Sequence, residues 1–186
     1  HYAFAKNICL QDVRIRFEFK LQGSTDIGVI LRATDESHFY LLHFPNCGQA
    51  SRSQNFWAAL SKMDGSGYLK QIKMEMVRRV PTNKGLWLCA DVTLSGNKIS
   101  VRIGKNGRFE AQDETDCGPG HIGIHCFGYG ESWQPGIRNV TIEAQSAASS
   151  VWNDKVRQPT NWFYPCPDTA YGQWQRPLDL VCLPDG

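Results

Sequence analysis

Val13-Arg14-Ile15-Arg16-Phe17-Glu18-Phe19-Lys20-Leu21 alternates without a break, with Val13, Ile15, Phe17, Phe19 and Leu21 on one side and Arg14, Arg16, Glu18 and Lys20 on the other. A strand sends successive side chains to opposite faces, so this run reads as a strand with one greasy face and one wet face. The same period of two recurs at 27–33, 38–45, 55–61, 69–79, 86–94, 97–103, 107–113, 121–127 and 137–144, and an opening strand at 2–8 brings the count to about eleven. Before residue 145 no stretch carries a sustained apolar stripe at helical spacing, apart from a brief ambiguity at Phe56-Trp57-Ala58-Ala59-Leu60.

The turn residues agree with this division. Ser95-Gly96-Asn97 and Lys105-Asn106-Gly107 supply positions that tolerate positive φ, so 86–94, 97–103 and 107–113 read as a meander of tight hairpins, and Asp64-Gly65-Ser66-Gly67 marks another turn. Short antiparallel strands hide their apolar faces by pairing two sheets or closing a barrel. Strand lengths as uneven as these favour the sandwich. The expected fold is therefore all-β, a two-sheet antiparallel jelly-roll sandwich over residues 1–145.

Composition bounds the rest. The 186 residues carry 20 Lys and Arg against 18 Asp and Glu, with 41% apolar residues, which suits one domain with a sizeable core and disfavours both disorder and a strongly basic nucleic-acid surface. No apolar run is long enough to cross a bilayer as a helix, so neither nucleic acid nor membrane is an expected partner. The opening His1-Tyr2-Ala3-Phe4-Ala5-Lys6 lacks the basic flank and apolar stretch of a signal peptide, and the natural start is expected to have been removed. An exported location, secreted or periplasmic, is the expected compartment.

From Gln145 the texture turns small and polar, and residues 146–186 read as a linker or irregular tail leading towards a missing C-terminal domain. Residues 151–186 hold three of the six tryptophans (Trp152, Trp162, Trp174) and five of the nine prolines, without periodicity. The seven cysteines, at 9, 47, 89, 117, 126, 166 and 182, form no CxxC pair and no spacing suited to structural zinc. Cys126 and Cys89 read as small buried hydrophobes. Cys117 with Cys126, or Cys166 with Cys182, are the pairs open to an exported chain. The sequon Asn139-Val140-Thr141 would carry glycan only along a eukaryotic secretory route.

Trp87, Val92, Gly96-Asn97-Lys98-Ile99-Ser100-Val101, Asn106-Gly107, Gly120-His121-Ile122-Gly123-Ile124 and Ile137-Arg138-Asn139-Val140-Thr141-Ile142 together resemble the closing strands of a concanavalin A-like, laminin G-like jelly roll. The variant nearest in style is the bacterial glycan-associated group named for 3-keto-disaccharide hydrolases. The tail run Trp174-Gln175-Arg176-Pro177-Leu178-Asp179-Leu180-Val181, with Leu183-Pro184-Asp185-Gly186, is similar to the opening of the first blade of sialidase-like propellers. That likeness implies a lectin-like domain set before a catalytic one. The matched positions are turn glycines and core hydrophobes, which specify fold far better than activity.

Motifs of catalysis are absent: no GxSxG, P-loop, HExxH or strand-borne GxGxxG occurs, and Gly128-Tyr129-Gly130 reads as a loop. The ExDxE run of sandwich glucanases is also missing, and Glu18, Glu75 and Glu143 each stand alone, so paired-carboxylate glycoside hydrolysis has little support. A triad of His43, Glu75 and His125 has no spacing rule behind it as a metal site. No metal, cofactor or catalytic residue is assigned.

Sugar binding asks for an aromatic face and nearby planar polar groups. Parity places Ile30 with Arg32, Phe39 and Leu41 with His43, and Trp57 opposite Phe56, Ala58 and Leu60. With Ile72, Met74 and Met76 assigned to the core, Lys73 and Glu75 point outwards; with Ile122, Ile124 and Cys126 inwards, His121, His125 and Phe127 point out. Arg32, His43, Trp57, Lys73, Glu75 and His125 are thus the expected groove, and Tyr129, Glu131 and Trp133 form a loop-borne platform. Three readings stay open: a non-catalytic lectin-like module that binds carbohydrate beside a C-terminal catalytic domain of the same chain; a keto-sugar hydrolase with His43, Glu75 or His125 as acid or base; and a structural spacer.

Overall fold

A computed structural model of the chain describes residues 2–21, 24–46, 55–78, 86–105, 107–115, 118–129 and 136–147. Ten antiparallel strands follow in order: β1 (Tyr2–Lys20), β2 (Ser24–Asp35), β3 (His38–Asn46), β4 (Phe56–Asp64), β5 (Leu69–Val77), β6 (Trp87–Ser95), β7 (Lys98–Ile103), β8 (Gly107–Gln112), β9 (Gly120–Tyr129) and β10 (Gly136–Ala147). The ambiguous stretch at 56–60 is strand, inside β4. Two of the expected strands, 2–8 and 13–21, are one: β1 runs through both, with register shifts against β10 between Leu10 and Val13 and between Arg16 and Glu18, and against β9 between Ala5 and Cys9.

That long strand builds the sandwich. Its first half pairs with β9, from Tyr2↔His125 to Leu10↔Gly120. Its second half pairs with β6 on one side and β10 on the other, over Val13 to Lys20. The strand order β5-β4-β3-β2-β9-β1-β6-β7-β8, with β10 on β1, therefore folds into a six-stranded and a five-stranded leaf that share β1. Asp12, at the crossing, accepts the Gly96 amide at 2.8 Å and so ties the β6–β7 turn to the bend.

Between the leaves lies the main core. Val13, Ile15, Phe17 and Phe19 of β1 meet Ile27, Val29 and Leu31 of β2 and Tyr40, Leu42 and Phe44 of β3, with Val92, Leu94, Val101 and Phe109 from the five-stranded leaf. Phe19 and Phe44 stack across the interface, ring centroids 4.1 Å apart and planes 7° from parallel. Tyr40 is buried as well, and its hydroxyl donates to Asp113 Oδ2 at 2.7 Å, which also accepts from Lys62 Nζ at 2.7 Å, so the polar end of the ring is satisfied at the rim of the core. The turn glycines behave as their sequence context dictates: Gly65 and Gly67 have φ of 83° and 82°, and Gly96 54°.

Cys126 packs on the inner side, opposite Ile27, and burial pushes its thiol up from the ordinary range. Cys89 corrects the expectation: it pairs with Glu18 on the outer side of the five-stranded leaf and is exposed. Cys89 is a free thiol; Cys47, Cys117, Cys166 and Cys182 lie outside the described residues, and both pairs considered above involve them. The tail expected over 146–186 also lies outside them from residue 148 onwards.

Candidate functional site

The outer face of the six-stranded leaf carries the residues that drew attention in the sequence. Cross-strand pairing sets one row straight across it: Tyr2 opposite His125, His125 opposite Gly28, Gly28 opposite His43, His43 opposite Ala59, and Ala59 opposite Met74. The two small residues flanking His43 follow from this packing. A Cβ on Gly28 would overlap the Leu42 carbonyl oxygen and stand 2.7 Å from His43 Cα, so only glycine lets β2 and β3 approach so closely beside the imidazole.

Next to this row, on the same face of β2, sits Asp26. His43 Nδ1 donates to its carboxylate at 2.8 Å, and His125 Nε2 lies 3.6 Å from the same oxygen. The two imidazoles are nearly perpendicular, with centroids 6.4 Å apart. On the far side of His43, Ser61 Oγ is 3.4 Å from Nε2. All four side chains belong to buried residues: Asp26 6% exposed, His43 6%, Ser61 4% and His125 1%. Burial works to raise the Asp26 pKa, but attraction to His43 and hydrogen bonds from His125 and His43 outweigh it, holding the carboxyl well below the usual carboxylate range. Burial likewise pushes His125 below the ordinary histidine value, against the pull of Asp26. A proton on Nδ1 facing the carboxylate leaves Nε2 of His43 as an acceptor for a hydroxyl.

The order Ser61, His43, Asp26 is that of a nucleophilic relay. Its setting is not: Ser61 lies mid-strand, paired with Leu41 on one side and Gln71 on the other, so the surrounding strand amides are committed to the ladder instead of converging on a developing oxyanion. What the group offers is a fixed, desolvated set of hydrogen-bonding side chains.

The rest of the face divides in two. Ile30, Ala33, Phe39, Leu41 and Met63 form a second apolar cluster, each 0% exposed, with Tyr2, Phe4 and Leu69 packed against it. Towards β4 and β5 the face opens: Trp57 is 39% exposed and Met74 37%. Trp57 pairs with Met76, and it stands two residues along β4 from Ala59, the residue opposite His43. An open indole thus adjoins the buried polar group.

Of the expected groove, His43, Trp57 and His125 share this face. Lys73 and Glu75 do not. They pair with Leu60 and Ala58, whose side chains belong to the main core, whereas Met74 and Met76 pair with Ala59 and Trp57 on the outer side. From Lys73 to Val77 the parity of β5 is therefore the reverse of the one expected, whereas Ile72, at the register shift between Leu60 and Ser61, packs against the main core as expected; on an edge strand with such a shift, methionines at alternate positions do not mark the inner face. Arg32 is also elsewhere. It is 3% exposed with φ 51°, at a register shift in β2, and its guanidinium donates to the Gln11 carbonyl at 3.2 and 3.0 Å, fastening β2 to the bend of β1. β9 continues as strand through Gly128 and Tyr129, where a loop was expected; the Tyr129 side chain, Glu131 and Trp133 lie outside the described residues. Asp26 and Ser61 are the members the sequence reading missed. Strand parity puts Asp26 on the face of Gly28 and Ile30, but nothing in its spacing to His43 announces the pair.

No family model matches this sequence, and no curated protein is similar to it in sequence. Solved structures do resemble it. The carbohydrate-binding module CBM66 from Bacillus subtilis superposes with a TM-score of 0.55 at 13% identity, over 73% of this chain and 77% of that one. Congerin II, in a structure liganded with lactose and MES, gives 0.53 at 11% identity over 77% of this chain and all of that one (100%). CG-16, a homodimeric agglutinin from chicken liver, gives 0.52 at 8% identity with coverage of 77% and 100%. The chain therefore has the galectin-like sandwich of the concanavalin A-like lectin fold.

Proposed function

We propose that this chain is a carbohydrate-binding module whose sugar site lies on the open half of the six-stranded leaf. The observation that carries the reading is the exposed indole of Trp57 beside the buried Asp26–His43–Ser61 group, on a fold shared with a carbohydrate-binding module and with agglutinins. A pyranose has an apolar face that stacks on an aromatic ring and hydroxyls that need fixed partners. Trp57 and Met74 supply the first surface. His43, its proton pinned to Nδ1 by Asp26, supplies the second at Nε2 with the Ser61 hydroxyl. Because these groups are held by the ladder before any ligand arrives, little ordering cost falls on binding. Joined to a catalytic domain of the same chain, such a module would raise the local concentration of polymeric substrate instead of performing chemistry.

The test is a glycan array with wild type, Trp57→Ala and His43→Ala, followed by titration against the best binder. Trp57→Ala is expected to raise Kd at least about tenfold, a loss of about 1.4 kcal/mol. His43→Ala is expected to alter the choice among epimers that differ in one hydroxyl. No binding by wild type, or unchanged affinity in Trp57→Ala, overturns the reading.

A further inference from the structure

The other leaf carries a site of different chemistry. Arg14, Arg16 and Lys20 of β1, Lys98 and Arg102 of β7, Arg108 of β8 and Arg138 of β10 share the side of this leaf that bears Glu18, Asp91, Glu110 and Glu143. Most of these charges are matched. Arg14 clamps Asp91 with two bonds of 2.9 and 2.6 Å, Arg16 reaches Glu143 at 3.4 Å, Arg138 reaches Glu18 at 2.7 Å, and Glu110 takes Lys98 at 3.0 Å and Arg108 at 3.5 Å.

Lys20 and Arg102 are the exceptions: among the described residues no carboxylate lies within ion-pair distance of either. Lys20 stands over the Trp87 ring, and Arg102 has one acid in register, Asp91, which is held by Arg14. The other cross-strand partner of Arg102 is Arg108, directly opposite on β8. Like charges facing each other across an antiparallel ladder repel and destabilise the pair. Both arginines line one hollow of about 130 Å³, with Arg14, Ser100, Asp91 and Glu110 around it. That volume is well under the roughly 300 Å³ at which pockets take whole small molecules, so it suits one charged group and not a complete ligand.

We propose that this hollow is a second subsite, which takes a sulfate or carboxylate group of an acidic polysaccharide between Arg102 and Arg108. An anion there cancels the repulsion of the two guanidiniums and accepts from both forks, with the Ser100 hydroxyl at its edge. A polysaccharide fits better than a nucleic acid. The acids interleaved on this face repel a closely charged polyphosphate, and the net charge of the whole chain is only +2, whereas a sugar chain spaces its charges more widely. The choice of a polysaccharide rests on the carbohydrate-binding reading above; the anion site itself rests on the geometry of this leaf.

Affinity electrophoresis in gels containing dextran sulfate, polygalacturonate or neutral dextran, repeated at about 50 and 150 mM salt, tests it. Wild type is expected to be retarded by one or both charged polymers, which identifies the group, and not by neutral dextran. Arg102→Ala with Arg108→Ala is expected to weaken that binding at least tenfold, and Arg102→Glu to abolish it. Lys70→Ala, on β5, is expected to leave it unchanged. An equal loss in Lys70→Ala, no retardation of wild type by either polymer, or tighter binding of RNA of matched length overturns the proposal. Wild type that binds the charged polymers but no neutral glycan defeats the Trp57 site and leaves this one standing; the converse defeats this one alone.

Discussion

The two outer faces of the sandwich obey opposite rules. On the five-stranded leaf, every residue of β1 that points away from the core between Val13 and Leu21 is charged, and its neighbours on β6, β7 and β8 complete a lattice of ion pairs in water. On the six-stranded leaf, β3 is apolar on both sides: Phe39 and Leu41 outward, Tyr40, Leu42 and Phe44 inward, all at most 1% exposed. A sheet buried on both faces loses its alternation and reads as a nearly continuous apolar run. Polar groups placed on such a face must find partners in one another, as Asp26, His43 and Ser61 do, whereas on the wet face water screens even two like charges set opposite each other, as Arg102 and Arg108 are.

Stability measurements would sharpen or break this contrast. The largest effect is expected from Leu41→Ala, on the outer side of β3, which should cost about 2 to 5 kcal/mol in denaturant unfolding, as much as Leu42→Ala on the inner side. A cost under about 0.5 kcal/mol would make that face an ordinary surface and end the comparison.

An intermediate effect belongs to the buried polar group and is read through pH. His125 has a folded pKa below its unfolded value, so its neutral form stabilises the fold fully above about pH 6.5, and stability falls as pH drops from there. Asp26 also has a depressed folded pKa; its contribution is complete above the unfolded value near 4 and is lost below it. Asp26→Asn should therefore make the acid limb below about pH 4 shallower than in wild type, by at most about 1.4 kcal/mol per pH unit, while lowering stability at neutral pH. Parallel acid limbs in the two proteins would mean that Asp26 is not held ionised by the histidines.

The smallest effect is expected from Arg16→Ala on the charged face. Its pairs with Asp91 and Glu143 stand in solvent, and the substitution should change stability by no more than about 0.5 kcal/mol.

Legibility in the sequence followed the same divide. β1, β6, β7 and β8, each with one dry and one wet side, were readable almost residue by residue, including the hairpin turns at Gly96 and beside Gly107. His43, Trp57 and His125 were assigned to the correct side of their strands because each is flanked by unmistakable core residues. β5 misled, because its methionines are apolar residues on an open face. Arg32 misled for another reason: a long cation in a strand looks like a surface group, and only the bend of β1 reveals the carbonyl that takes it in. Asp26 was invisible, since it stands one residue before the strand expected at 27–33, at the end of Gly23-Ser24-Thr25-Asp26, a run that also looks like a turn.

What the amino-acid order determined by itself was the period of two, the turns and hence the all-β sandwich, because these depend on neighbours within a few residues and on the simple need to hide one side of each strand. Which strand lies beside which, and so the meeting of Asp26, His43 and Ser61 or the confrontation of Arg102 with Arg108, was decided only when β1 crossed from one leaf to the other and the ladders closed in register. Contacts of that kind join residues distant along the chain through backbone pairing, and no local pattern encodes them.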